Sequence, residues 1–382
     1  MALRRGRLSE AQSAVLRELL EAPRFEVLPT KSVVSAVTEN LPQGRIVTVT
    51  ASPGMGLERT LSTAVSLQES GYRTVPHLAA RMVESRGRLE EIVGRLTGAG
   101  VDSVFVPAGD AAEPAGPYTG ALDLLRDLAE LGSPFRHVGI AGYPESHPTI
   151  PDGTTVRAMT DKRPYATHVV SNLCFDPARV AAWTRTLRER GEALPVLIGA
   201  AGAVERTRLL KVAGAIGVGE SARFLAKNRS LFARMFTPGG FSPERWLRQL
   251  VRELDAQGVP VLPEKGAEAS GTGAREPSER RAAAPEAGAV STPEVGAGAE
   301  STPEVGAGAE SASAPEAEAR AAREVGEGPA RHPRRGGHTH GRGDGHVPAS
   351  GSVVRGLHVY TFNQIAATET WRRDLVERLS RE

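Results

Sequence analysis

Glu26 raises a chemical question. It sits between Phe25 and Val27 in RFEVLP (24–29), a short run that is otherwise apolar. A buried carboxylate without a partner is costly, and its pKa rises until it keeps its proton. Such a group is a general acid at neutral pH, whereas an exposed glutamate, with a pKa of about 4.3, is already ionised. The alternative is a side chain pointing to solvent from a strand edge. Other polar residues recur at the ends of apolar runs: Thr48 and Thr50, His77, Asp110, the YPESHP segment (143–148) with Tyr143 and His147, Asn172, the turn at 199–202, and Tyr360, Asn363 and Gln364. One such residue means little. One from nearly every run makes a cupped polar site, provided that the fold gathers the run ends. Each also has a structural reading: His77 as a strand cap, Asp110 as a helix cap, Tyr143 and His147 as loop residues.

The elements that must do the gathering follow from periodicity. After a helix at about 9–21, apolar β-rich runs fall at 24–29, 45–51, 73–78, 103–109, 137–143, 167–173 and 194–199, with helical patterns between them, as at 84–98, 117–131 and 176–190. Apolar strands alternating with helices predict right-handed βαβ units and a parallel sheet. An eighth run, LHVYTF (357–362), lies far downstream, before an amphipathic helix. Eight such units predict an α/β chain closing as a TIM (β/α)8 barrel, whose active site lies at the C-terminal ends of the strands. A doubly wound open sheet is the rival; it calls for a Gly-rich turn after the first strand, where this chain has PTKS (29–32).

Between the seventh and eighth runs the composition changes. From 264 to 351 the chain is Ala, Gly, Pro, Glu, Ser and Arg, with STPEVGAGAE at 291–300 repeated at 301–310. It has too little apolar surface to offset the entropy of ordering, so a disordered insertion is expected. The organisation predicted is 1–263 for strands one to seven, 264–351 for the insertion, and 352–382 for the closing strand and helix. His332, His338, His340 and His346 in the insertion read as part of a solvated basic tail.

Composition narrows the class. Lys and Arg number 47 against 45 Asp and Glu, a net charge of +2 that gives no reason to expect nucleic acid. The single cysteine, Cys174, allows no intrachain disulfide and reads as a packed small hydrophobe. No apolar run approaches the roughly 20 residues that span a bilayer. A cytoplasmic protein with no membrane partner is expected, and a homo-oligomer is left open. GMGLERT (54–60) lacks the lysine of a nucleotide-triphosphate loop; GAIGVGESARFL (214–225) is a weak second anion-site candidate.

Read in order, these segments resemble the methylenetetrahydrofolate reductase family. FEVLPTKS is similar to that family's FEFFPPKT, VTVTASPG to VSVTYGAG, PHLAAR to AHLTC, VFVPAGD to ALRGD, IAGYPESHP to VAAYPEVHP, and GLHVYTFNQ to GLHFYTLNR. The resemblance covers about 20–262 and 356–364. It implies a flavoprotein barrel that passes hydride from NAD(P)H through FAD to methylenetetrahydrofolate. Glu26 then matches the general acid, and Asp110 the aspartate near flavin and pterin. Thr50, His77, Tyr143, His147 and Lys162 match FAD contacts. Asn172 stands for the glutamine on the pterin, with Tyr360 and Gln364 on the substrate side. Ala108 stands where the family has a flavin-binding arginine, and Ala51 where it has a tyrosine; these departures imply weaker FAD binding.

Overall fold

The computed structural model describes residues 7–145, 152–203, 241–263 and 353–382. The strands are β1 (Arg24–Val27), β2 (Ile46–Val49), β3 (Arg73–Pro76), β4 (Ser103–Phe105), β5 (His137–Gly142), β6 (His168–Ser171), β7 (Val196–Ala201) and β8 (Val354–Tyr360). They form one sheet in the order β3-β2-β1-β8-β7-β6-β5-β4, with parallel pairings throughout. The two end strands meet through a parallel bridge between His77 and Phe105. Past it, the N–H groups of Leu78, Ala80 and Arg81 donate to the carbonyls of Phe105, Pro107 and Ala108 at 2.8, 3.0 and 2.9 Å. The barrel is therefore closed at this seam just beyond the C-terminal ends of β3 and β4. The TIM-barrel expectation holds, and the doubly wound alternative falls.

Around the sheet run α1 (Glu10–Glu21), α2 (Val33–Asn40), α3 (Leu57–Glu69), α4 (Arg86–Gly98), α5 (Ala121–Glu130), α6 (Asp152–Lys162), α7 (Pro177–Glu189), α8 (Pro243–Ala256) and α9 (Ile365–Leu379). Their ends are written in the sequence. Ser9 and Gln12 form a capping box on α1. Asp176 and Ser242 cap α7 and α8, each followed by a proline. The buried stripe of α8 is Trp246, Leu247, Leu250, Val251 and Leu254, the helical repeat of an amphipathic element.

The pleat explains Glu26. Phe25 and Val27 face outward into an apolar cluster with Val33, Val37, Val47, Val49, Ala64, Leu67 and Ile365, contributed by β2 and the helices behind it. Successive strand side chains point to opposite faces, so Glu26 points into the barrel.

β8 lies between β1 and β7. Arg24 pairs with His358 and Glu26 with Tyr360 on one side, and Ala201 pairs with Tyr360 on the other. The segment after α8 delivers the chain to this strand: Val261 bridges Val354, and the Leu262 N–H donates to the Val354 carbonyl at 2.8 Å. The chain thus leaves the barrel beside the point where it returns. The expected insertion at 264–351, with its histidines, and the 214–225 segment lie outside the described residues.

Below the mouth the barrel interior is polar. Arg24 on β1 reaches across to His168 on β6, Nη1 to Nε2 at 2.8 Å. A guanidinium only donates, so His168 accepts through Nε2 and carries its proton on Nδ1, 2.9 Å from the Thr167 hydroxyl. Burial, reinforced by the Arg24 charge, holds the His168 pKa well below its ordinary value. Gly139 makes room for this ring, since a Cβ there would sit 2.7 Å from His168 Nε2.

Candidate functional site

The site is built on the ends of β1, β2, β3 and β8. Glu26 Oε2 lies 2.7 Å from His358 Nε2 and 3.6 Å from His77 Nε2. The Glu26 side chain is only 15% exposed and both histidines less. A carboxylate only accepts, so with Glu26 ionised the His358 Nε2–H donates. Among the described residues the Thr48 hydroxyl and His358 Nδ1 are buried without a hydrogen-bond partner. Buried polar groups are usually satisfied, so these two are groups that an entering molecule could meet.

The electrostatics correct the sequence-based expectation for Glu26. Burial is the largest single influence and would raise its pKa. The His358 hydrogen bond, the charges of His358 and His77, and Thr50 together outweigh burial and bring it below the ordinary value. The expected elevation rested on Phe25 and Val27, but these pack on the outer face of the sheet and leave the carboxylate to the histidines. His77 is pushed down to about 4, by burial first, with Glu26 opposing and His358 adding to the fall. It is therefore neutral near pH 7. The proton nearest the barrel mouth lies in the 2.7 Å contact between Glu26 and His358.

The other residues singled out in the sequence fall around this centre. Tyr360 is half-buried at the end of β8, its hydroxyl 3.3 Å from the Ser171 carbonyl. Burial, then Glu26 and Tyr143, raise its pKa well above 10. Tyr143 directly follows β5 and is half-buried. Asn172 directly follows β6; its Oδ1 accepts from the Leu173 N–H at 2.9 Å, which leaves the NH2 as the end able to face a ligand. Gln364 is buried at the N-cap of α9. Lys162 ends α6. Asp110 is exposed on the loop between β4 and α5, after Gly109. His147 lies outside the described residues. Cys174 is buried and its thiol is pushed up to about 12 by burial, in keeping with a packing role.

Two residues do more than the sequence suggested. His358 was overlooked, although it stands two positions before Tyr360 and so shares its inward face. Asn363 was noted only as a strand-end residue. It takes a left-handed backbone, φ 57°, and its amide grips the β1–α2 loop beside Glu26. Oδ1 accepts from the Leu28 N–H at 2.8 Å, while Nδ2 donates to Leu28 O and Thr30 Oγ1, each at 3.0 Å.

On the β2–β3 side of the mouth, Thr50 and His77 are the polar groups able to hydrogen-bond the edge of a flavin or nicotinamide ring. Ala108 offers no charge for a pyrophosphate.

Fold and site together define a (β/α)8 barrel with a buried carboxylate–histidine centre at its mouth. The sequence matches the family model for methylenetetrahydrofolate reductase over residues 22–214, half of the chain, and the protein belongs to that family. It is accordingly a folate-related reductase. Among solved structures, a 2,3-dimethylmalate lyase of the PEP mutase/isocitrate lyase superfamily is similar at 12% identity and TM-score 0.35, covering 65% of this chain and 98% of that one. A DHDPS from Cyanidioschyzon merolae is similar at 11% identity and TM-score 0.32, covering 62% and 97%. At such scores the barrel assignment rests on strand order and register. No described helix is long and apolar enough to cross a membrane.

Proposed function

We propose that the protein reduces 5,10-methylenetetrahydrofolate to 5-methyltetrahydrofolate, with the Glu26–His358 pair as its proton source. The observation that carries this reading is the 2.7 Å contact between Glu26 and His358 at the barrel mouth. Breaking the bridging carbon–nitrogen bond of the folate needs a proton on the departing nitrogen, and the methylene carbon is left as an iminium on the other nitrogen. Addition of one hydride to that carbon gives the methyl group. Glu26 delivers the proton; an imidazolium at His358 passes its Nε2 proton to Glu26 and, left as the neutral ring, takes the next proton from solvent. Asp110 and Asn172 bind the pterin, with Tyr360 and Gln364 on the substrate side. Thr50, His77, Tyr143, His147 and Lys162 hold the hydride carrier, FAD or NAD(P)H, which supplies the hydride when bound.

The test is anaerobic turnover of methylenetetrahydrofolate by the purified protein with NADH or NADPH, with and without added FAD. Formation of methyltetrahydrofolate supports the reading. Tight folate binding with no turnover under any of these conditions contradicts it and favours a binding protein or a folate-dependent methyl transferase.

A further inference from the structure

Arg81 follows β3 in the short helical turn Ala80–Met82, four residues after His77. Its side chain is 5% exposed. All three arms of the guanidinium fork are engaged with one loop: Nε donates to Ala111 O at 2.8 Å, Nη2 to Ala112 O at 2.6 Å and Nη1 to Thr119 O at 3.1 Å. Its backbone does the same, with the N–H donating to Ala108 O and the carbonyl accepting from the Ala115 N–H, both at 2.9 Å. Five hydrogen bonds from one residue thus span 108–119, the loop that carries Asp110. At Gly116 the loop approaches so closely that a Cβ would lie 2.1 Å from the Glu84 carbonyl oxygen.

A buried guanidinium is costly unless its donors are satisfied, and here every one of these side-chain bonds goes to a main-chain carbonyl. The arrangement fixes backbone, not a side-chain charge. It also removes Arg81 from the cations able to meet a cofactor phosphate, so it does not replace the arginine missing at Ala108.

We propose that Arg81 is a positioning residue that holds the Asp110 loop in the conformation that receives the pterin. This rests on the reading of Asp110 as a folate contact. Binding groups on a loosened loop lose their alignment, and a misplacement of about 1 Å costs up to about a hundredfold in rate or affinity.

The test uses the full-length protein with Arg81→Ala, Arg81→Lys and Asp110→Asn. Arg81→Lys keeps the charge but cannot reproduce three diverging donors, and it serves if Arg81→Ala does not fold. Amide exchange across 106–120 reads the loop, and KM and kcat for methylenetetrahydrofolate read its use. The expected result is faster exchange confined to that loop and a KM about tenfold or more higher in both Arg81 variants. Millimolar guanidinium ion should restore much of the KM in Arg81→Ala, which a merely destabilised fold would not show. Unchanged loop exchange, or a loosened loop with wild-type KM, overturns the proposal. Asp110→Asn locates the fault: if it too leaves KM unchanged, the folate role of Asp110 has failed; if it raises KM, only the Arg81 clamp has.

Discussion

His358 meets the Glu26 carboxylate at 2.7 Å, although the β8 partner of Glu26 is Tyr360 and the β1 partner of His358 is Arg24. The acid therefore reaches one layer down the barrel to its partner. This contact turns a buried glutamate that should hold its own proton into one that shares a proton with an imidazole. In the proposed reduction the Glu26–His358 pair, not Glu26 alone, acts as the acid.

His358→Gln should separate the two contributions to Glu26. The amide still donates to the carboxylate but carries no exchangeable charge. Burial then dominates, and the pKa of Glu26 rises. The pKa seen in the pH profile of folate reduction should move upward. A profile superimposable on the wild type would remove His358 from the proton path.

Acid should destabilise the fold. The His77 pKa falls from 6.5 to about 4 on folding. Between those values the unfolded chain binds more protons than the native one, so stability is lost as pH falls from 6.5 toward 4. The shift corresponds to about 3 kcal/mol. His168 acts in the same direction. The lowered Glu26 pKa adds a loss that begins only as pH drops through the ordinary value of 4.5. Thermal melts from pH 7.5 to 4.5 should show a falling midpoint, less steep in His77→Gln. A midpoint flat across that range would contradict the buried neutral histidines.

β8 makes a sharper architectural prediction. It pairs with both β1 and β7, so ending the chain after Pro263 leaves two open parallel edges and should give insoluble or molten protein. Replacing 266–350 with a short flexible linker should leave folding and melting temperature nearly unchanged, because Val261 already bridges Val354. Cooperative unfolding of the truncated chain near the full-length melting temperature would refute the closing role of β8.

Ala108→Arg tests the cofactor reading. A charged hydrogen bond contributes about 1.5–3 kcal/mol, or roughly 10- to 150-fold in affinity. FAD titration should show tighter binding in the variant by a factor in that range. Equal affinities would argue that no flavin phosphate lies near residue 108.

Much of this architecture was legible in the sequence because short apolar runs alternating with helical patterns leave few topologies. The downstream LHVYTF run made sense only as the strand that completes a closed sheet. The inward acid was legible too, but its electrostatics were not. Phe25 and Val27 suggested an apolar pocket, whereas adjacency along a strand means opposite faces. The partners of Glu26 come from β8 and β3, separated from it by 332 and 51 positions, and only the barrel brings them together. His358 was recoverable in principle: once Tyr360 is taken as inward, the residue two before it is inward as well. The Arg81 clamp was not, because its partners are main-chain carbonyls that carry no sequence signal.

The central claim is that the Glu26 carboxyl supplies the proton for folate reduction. Its most direct test is Glu26→Gln, an almost isosteric change that removes the proton and keeps a hydrogen-bonding amide. The measurement is the rate of methyltetrahydrofolate formation in a single turnover, with folate affinity and melting temperature followed in parallel. The account predicts affinity and melting temperature close to wild type and a rate lower by about a hundredfold or more. Formation of methyltetrahydrofolate at the wild-type rate in Glu26→Gln would contradict it.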